Sequence, residues 1–270
     1  MTDSVRDRWA AGDAYDAYMG RWSRFVADAF VAWLAVEPAR HWLDVGCGTG
    51  VLTGSICARC EPASVVACDQ SAPFVEYART KLADTRVSCV SAAADCLPER
   101  SGGFDLLVSG LVLNFIRDPD AALIAMRDRV SRGGLVAAYI WDYAGGLEFL
   151  QHFWQAAVAL DPGAAALDEA HRFGAWQSAR LRTLFEHAGF VDIETTVLTV
   201  PTTFTNFQDF WSPFLGGTGP APSYVAGLSQ AQRQQLAQRL EACLPVASGA
   251  NDASIPLHAR ALAVRGRVRS

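Results

Sequence analysis

The chain has 270 residues, 51% of them hydrophobic, which suits one large α/β domain or a domain carrying a cap. A formal net charge of -5 argues against a nucleic-acid footprint, which is ordinarily basic. The charged start lacks the apolar stretch of a secretion signal, and the longest uncharged run, 210–232, is interrupted by Pro213, Pro220 and Pro222. No membrane span is therefore expected, and the chain reads as cytoplasmic. Seven cysteines, an odd number, are scattered along it and are expected to be reduced and mostly buried. The Cys57/Cys60 pair has no matching second pair of ligands, so no metal site is expected.

In chain order, residues 14–35 place aromatic and aliphatic side chains at helical spacing, and Pro38 ends that pattern. Short apolar runs then alternate with helical stretches. Strands are expected at 41–45, 64–68, 87–92, 104–109 and 135–140, the last entered through a turn at Gly133-Gly134. Helices are expected at 51–59, 73–83 and 118–130, with Pro119 suitably placed in the first turn of the third. This alternation implies βαβ units and a mostly parallel sheet covered on both faces.

The second half is less regular. Residues 149–160 and 177–188 read as helices, with Gly189 as C-cap of the latter, and 191–200 reads as a Val-, Ile- and Thr-rich strand. Residues 207–224, rich in aromatics, Gly and Pro, read as a loop or cap. Residues 229–243 follow as a helix capped by Ser229, and 256–265 as a final strand.

The strongest chemical signal is Asp44-Val45-Gly46-Cys47-Gly48-Thr49-Gly50, a strand ending in an acid and running through glycines into a helix. Glycines permit the tight turn and let a flat ligand approach the backbone. A dinucleotide site would want its third glycine one position later, where Val51 stands, and Asp44 would repel a pyrophosphate. A cofactor with a cationic amino-acid tail gains from that carboxylate. The pattern therefore favours S-adenosylmethionine over NAD. Asp69 ends the next strand, where a carboxylate can accept ribose hydroxyls; the competing role is capping the following helix.

These segments, with Ala93-Ala94-Asp95-Cys96-Leu97-Pro98, Phe104-Asp105-Leu106-Leu107-Val108-Ser109 and Arg132-Gly133-Gly134, resemble the class I S-adenosylmethionine-dependent methyltransferases. The resemblance is to the broad type 11 group that includes ubiquinone/menaquinone biosynthesis methyltransferases. It implies a Rossmann-like doubly wound sheet of about seven strands, mostly parallel with one antiparallel strand, carrying a helical or loop cap. It divides the chain into an N-terminal helical segment over the cofactor site (1–40), a cofactor-binding core (41–141) and cap segments with the closing strands (142–270).

The same resemblance implies site residues. The glycine turn (Asp44, Gly46, Cys47, Gly48, Gly50) holds the cofactor, Asp69 and Gln70 take its ribose and adenine, and Ala94, Asp95 and Cys96 surround the adenine. Ser109 and Leu111 contact the methionine part. Tyr18, Arg21 and Trp22 match an N-terminal segment that lies over the cofactor; helix-face packing is the competing role. Where many relatives have His, this chain has Asn114, which cannot take a proton near neutral pH and is expected to be a polar residue lining the acceptor site.

Trp141, Tyr143, Trp154 and Trp211, with other aromatics after the fifth strand, suggest a small apolar or aromatic acceptor; packing among themselves is the alternative. Asp142, His152 and His171 are the candidate bases, none compelling, and no catalytic residue is assigned. The rival readings are a non-catalytic protein that binds the cofactor or its demethylated product, and an NAD-dependent oxidoreductase. Acceptor atom, pathway and oligomeric state are not legible.

Overall fold

The computed structural model describes residues 20–94, 96–216, 219–247 and 253–270. The chain divides into two compact units. A sheet unit comprises Ser23–Trp141, Trp176–Leu198 and Ala261–Ser270; an aromatic unit comprises the chain through Trp22, Asp142–Ala175 and Thr199–Arg260.

The sheet unit opens with helix α1 (Arg21–Leu34, its first two residues in the other unit), whose apolar stripe includes the fully buried Val26 and Phe30. Strands β1 (His41–Val45), β2 (Ser64–Asp69), β3 (Val87–Ser91), β4 (Phe104–Gly110) and β5 (Val130–Trp141) follow, separated by α2 (Val51–Arg59), α3 (Ala72–Leu82) and α4 (Pro119–Asp128). Asp118 caps α4 by accepting from Ala121 N at 3.0 Å, and Pro119 fills a first-turn position where its missing N–H costs nothing. After α7 (Ser178–His187), β6 (Val191–Pro201) and β7 (His258–Arg267) complete one seven-stranded sheet, of order β3-β2-β1-β4-β5-β7-β6. β1 to β5 pair in parallel, and β7 runs antiparallel to β5. The expected mixed sheet is thus observed. Covered on both faces, β4 and β5 are nearly continuous apolar runs: Leu106, Leu107, Val108 and Val136 through Trp141 are all buried.

Strand β3 lies at one edge. Val65 N donates to Arg86 O and Ala92 N to Asp69 O, so the period of two turns the Cys89 carbonyl away from β2. Arg79 of α3 reaches over and donates to that carbonyl at 2.9 Å.

Two sequence expectations change. Gly133-Gly134 does not precede the fifth strand but lies within it. The β4–β5 register jumps from Phe104↔Val130 to Leu106↔Leu135, and a side chain at Gly134 would meet Val130 at 2.5 Å and Asp105 O at 2.8 Å. The glycines form an irregularity that keeps the strand in the sheet. Residues 207–224 are not a plain loop: α8 (Phe207–Trp211), a 3-10 turn (Ser212–Gly216) and α9 (Pro220–Gly227) occupy them. Asn206 caps α8 by accepting from Asp209 N at 2.9 Å, and Pro220, one of the prolines that interrupt the uncharged run, starts α9.

The aromatic unit also contains α5 (Glu148–Leu160), a 3-10 turn (Pro162–Leu167), α6 (Glu169–Phe173) and α10 (Gln230–Cys243). Ser229 and Gln232 form a reciprocal capping box at α10. Rings pack on rings: Phe153 stacks on Phe214 with centroids 4.5 Å apart and meets Trp154 edge-on at 5.0 Å, while Trp211 lies against Phe214 and Phe207.

Candidate functional site

In the sheet unit the carboxyl ends of β1, β2 and β4 converge on the glycine turn. Gly46, Gly48 and Gly50 all have left-handed backbone, with φ of 76°, 51° and 81°. A side chain at Gly46 would strike Val112 at 2.6 Å, whereas one at Gly48 would project into open space with nothing within 4 Å. The turn is clamped by Gly46 N and Cys47 N, both donating to Cys68 O.

Asp44 is fully buried at the tip of β1. Its Oδ2 accepts from Thr53 Oγ1 at 2.6 Å, and its Oδ1 has no hydrogen-bond partner. Burial is the chief cause that raises its pKa to about 7; the Thr53 hydroxyl pulls it down and nearby Asp69 pushes it up. A half-satisfied buried carboxylate costs on the order of 1–3 kcal/mol or more, so a cationic ligand group here is strongly favoured.

Asp69 is half-buried. Its Oδ2 accepts from Gly48 N at 3.0 Å and its Oδ1 from Ser71 N at 2.8 Å. The acid therefore ties the glycine turn to the start of α3, and each oxygen retains a lone pair. Beside it Gln70 is exposed, Ala94 is partly buried and Cys96 is exposed. Asp95 lies outside the described residues, as does Tyr18. Beneath the turn, Cys47, Cys68 and Cys89 are buried, and burial pushes the Cys68 thiol up to about 12 and that of Cys47 higher. Such thiols are inert packing groups.

At the tip of β4, Ser109 donates to Val45 O at 2.9 Å, cross-linking the two central strands. Leu111 holds a positive φ of 62°, and its N–H donates to Tyr139 O at 2.7 Å. A non-glycine residue in that region stores strain, which marks the β4 tip as a built feature. Three residues on, Asn114 is 7% exposed, and neither its Nδ2 nor its Oδ1 has a partner. At the tip of adjoining β5, the indole nitrogen of Trp141 is buried and likewise unpartnered.

The remaining predicted residues belong to the aromatic unit and pair within it. Arg21 makes a two-pronged bridge to Asp209 at 2.7 and 3.2 Å and stacks over Trp22 and Phe204. Trp22 meets Phe204 edge-on with centroids 5.2 Å apart. Tyr143 packs on Phe173. Trp154 is buried and donates to the buried Glu169 carboxylate at 2.5 Å, and Trp211 is buried among rings. Of the candidate bases, Asp142 is bound by Arg260 at 2.8 Å, His171 is exposed, and His152 is half-buried with its pKa lowered by burial.

Sequence reasoning missed Thr53, Val112 and Asp209. Thr53 carried a signal, a hydroxyl within the first turn of the helix that follows the glycines; the partners of Arg21 and Gly46 are distant in sequence and carried none.

The methyltransferase domain family matches residues 43–138. The chain is 32% identical over 194 residues to a malonyl-[acyl-carrier protein] O-methyltransferase of Geobacter sulfurreducens, covering 70% of this chain and 71% of that protein. It is 29% identical over 167 residues to a trans-aconitate 2-methyltransferase of Methylobacterium radiotolerans, covering 62% and 60%. The fold is shared with phosphoethanolamine N-methyltransferase 2 of Haemonchus contortus, solved with S-adenosyl-L-methionine: TM-score 0.53, 16% identity, 90% of this chain and 52% of that one. The chain belongs to the class I S-adenosylmethionine-dependent methyltransferases. Its cofactor is S-adenosylmethionine, and the unpartnered Asp44 oxygen and the open face of Gly48 fit that molecule's cationic tail and flat body. Among the described residues no helix is long and apolar enough to cross a membrane.

Proposed function

We propose that this methyltransferase modifies a small acceptor with an apolar or aromatic body, and that the carboxyl edge of the sheet unit holds the cofactor. The carrying observation is the buried, unpartnered Oδ1 of Asp44 at the head of the glycine turn. In this reading Asp44 takes the methionine ammonium, Asp69 and Gln70 the ribose and adenine, and Ala94, Asp95 and Cys96 the rim of the adenine. Gly46, Cys47, Gly48 and Gly50 supply backbone, and Ser109 and Leu111 shape the methionine end. Tyr18, Arg21 and Trp22 are the proposed N-terminal cofactor residues.

S-adenosylmethionine supplies a methyl group already activated on a sulfonium, so the protein needs no covalent nucleophile. Its residues bind, orient and exclude water: reactants held in line account for much of the rate, and dispersal of positive charge in the transition state is favoured in a dry site. Asn114 and Trp141 are the proposed acceptor residues of the sheet unit; Tyr143, Trp154 and Trp211, also expected to serve the acceptor, pack within the aromatic unit. The names of the malonyl-[acyl-carrier protein] and trans-aconitate relatives support a small or acyl acceptor, and the net charge of -5 speaks against nucleic acid.

Calorimetric titration with S-adenosylmethionine and, separately, NAD tests the cofactor site. Binding of the first and not the second is expected, with loss of affinity in Asp44→Asn. Binding of NAD with indifference to S-adenosylmethionine would overturn the reading. Transfer of label from the methyl-labelled cofactor to any small acceptor rejects the non-catalytic alternative.

A further inference from the structure

We infer that the acceptor atom is an oxygen of a carboxylate and that Asn114 is the residue that selects it, an inference resting on the methyltransferase reading above. The β4 tip is fixed by the left-handed Leu111, by the Leu111–Tyr139 backbone bond and by the close approach of Val112 to Gly46. On that support sits a side-chain amide that is 7% exposed and has no partner on either polar atom. The buried Trp141 N–H at the tip of the neighbouring parallel strand is a second donor without a partner. Buried polar groups in folded proteins are nearly always paired, so two unsatisfied donors on adjacent strand tips point to a ligand that accepts hydrogen bonds.

The chemistry narrows the ligand. An amide donates through Nδ2 and accepts through Oδ1, but it takes no proton. The group that the β4 tip offers is therefore no base, and the reaction that suits it is one whose nucleophile arrives already deprotonated. Phenols, alcohols and ammonium groups at neutral pH do not meet that condition; a carboxylate does. Nδ2 holds the oxygen that does not react, while Oδ1 suits the positive partner, so the two ends of one dipole match the opposite charges of the reactants.

The step balances without a proton. A lone pair of the free carboxylate oxygen forms the bond to the methyl carbon, and the pair of the carbon–sulfur bond returns to sulfur. One negative and one positive charge disappear together and leave a methyl ester and a neutral thioether. In a site that excludes water such mutual neutralisation is favoured.

The test uses the full chain and a panel of aromatic, aliphatic and dicarboxylic acids, each beside the phenol, alcohol or amine of matching body. Binding is read by calorimetry with S-adenosylhomocysteine present, and turnover by methyl label and by proton release in weakly buffered indicator. Acids are expected to bind and to yield base-labile methyl esters with no proton released. In Asn114→Leu and Asn114→Asp, acid affinity should fall on the order of 10- to 100-fold, the aspartate variant losing more by repulsion. Retained S-adenosylhomocysteine affinity shows that each variant is folded; if both unfold, the esters and proton count of the unaltered protein decide. Methylation of phenols or amines with one proton released, and none of acids, overturns the carboxylate assignment and leaves the methyltransferase standing. Acid affinity unchanged in the folded variants removes Asn114. A protein that binds S-adenosylhomocysteine yet methylates no member of the panel refutes the inference, and one that does not bind it refutes the underlying reading.

Discussion

Trp154 and Asn114 are buried to similar depth, at 2% and 7% exposure, and their surroundings could hardly differ more. In the aromatic unit the indole N–H of Trp154 has its carboxylate, Arg21 has Asp209 and Asp142 has Arg260. At the carboxyl edge of the sheet unit, Asp44 Oδ1, the Trp141 N–H and both polar atoms of Asn114 have nothing. Burial without partners costs stability wherever it occurs, as at Thr202 Oγ1 of the aromatic unit and the Trp42 N–H of β1; gathered at the tips of adjacent strands, such groups offer a ligand its bonds. The contrast teaches that a predicted site residue is better judged by what its polar atoms lack than by whether its side chain is aromatic or buried.

Truncating the satisfied region should cost the most. Trp154→Ala removes a ring that touches Phe153 and Tyr224 and takes one hydrogen bond from the buried Glu169, so about 3–5 kcal/mol of stability should go. Thermal or denaturant melting measures this, and an unmoved midpoint would erase the contrast.

Asp44→Asn should act in the opposite sense. Cofactor affinity should drop on the order of 10- to 100-fold while the melting temperature rises, because a buried charge without a full complement of partners is gone. The same residue sets a pH dependence. Its carboxyl is raised from 3.8 to about 7, so over that window the folded protein retains a proton that the unfolded chain has released. Its contribution to stability is therefore lost as pH rises through the window and is level above about 7. Affinity for the cationic tail runs the other way, strengthening as the carboxylate ionises. Melting and calorimetry on either side of pH 7, with Asp44→Asn as the flat control, would show whether the two trends cross.

Gly48→Ala sharpens the comparison within one turn. The added methyl meets nothing within 4 Å, so the cost to folding is the positive φ alone, about 1–2 kcal/mol, while cofactor affinity should fall roughly tenfold as the methyl enters the open face. Smallest of all is Asp209→Asn. The pair with Arg21 is 31% and 25% exposed, and its loss should shift stability by about 0.5–1 kcal/mol.

The legible part of the molecule was local. Strand β1 and helix α2 fall where the apolar run and the glycines put them, because burial on both faces forces an unbroken hydrophobic string. The cofactor turn was readable for the same reason: its left-handed conformations admit glycine and little else. Residues 207–224 misled because Pro, read as a breaker, also opens helices, and only the following residues decide which. Arg21 carries two expected roles, over the cofactor or in helix-face packing; its bridge to Asp209 joins residues far apart in sequence, which no periodicity reveals.

The reach of Arg79 to the outward carbonyl of Cys89 bears on how molecules of this protein meet one another. An uncovered rim of backbone is a template on which a neighbour's extended segment can assemble, and repeated addition gives fibres or precipitate. With a guanidinium seated there and held by Glu76 of the same helix, an incoming strand must first displace an ion-paired side chain to reach the carbonyl. The third strand thus carries its own guard against polymerisation, supplied by the helix that precedes it.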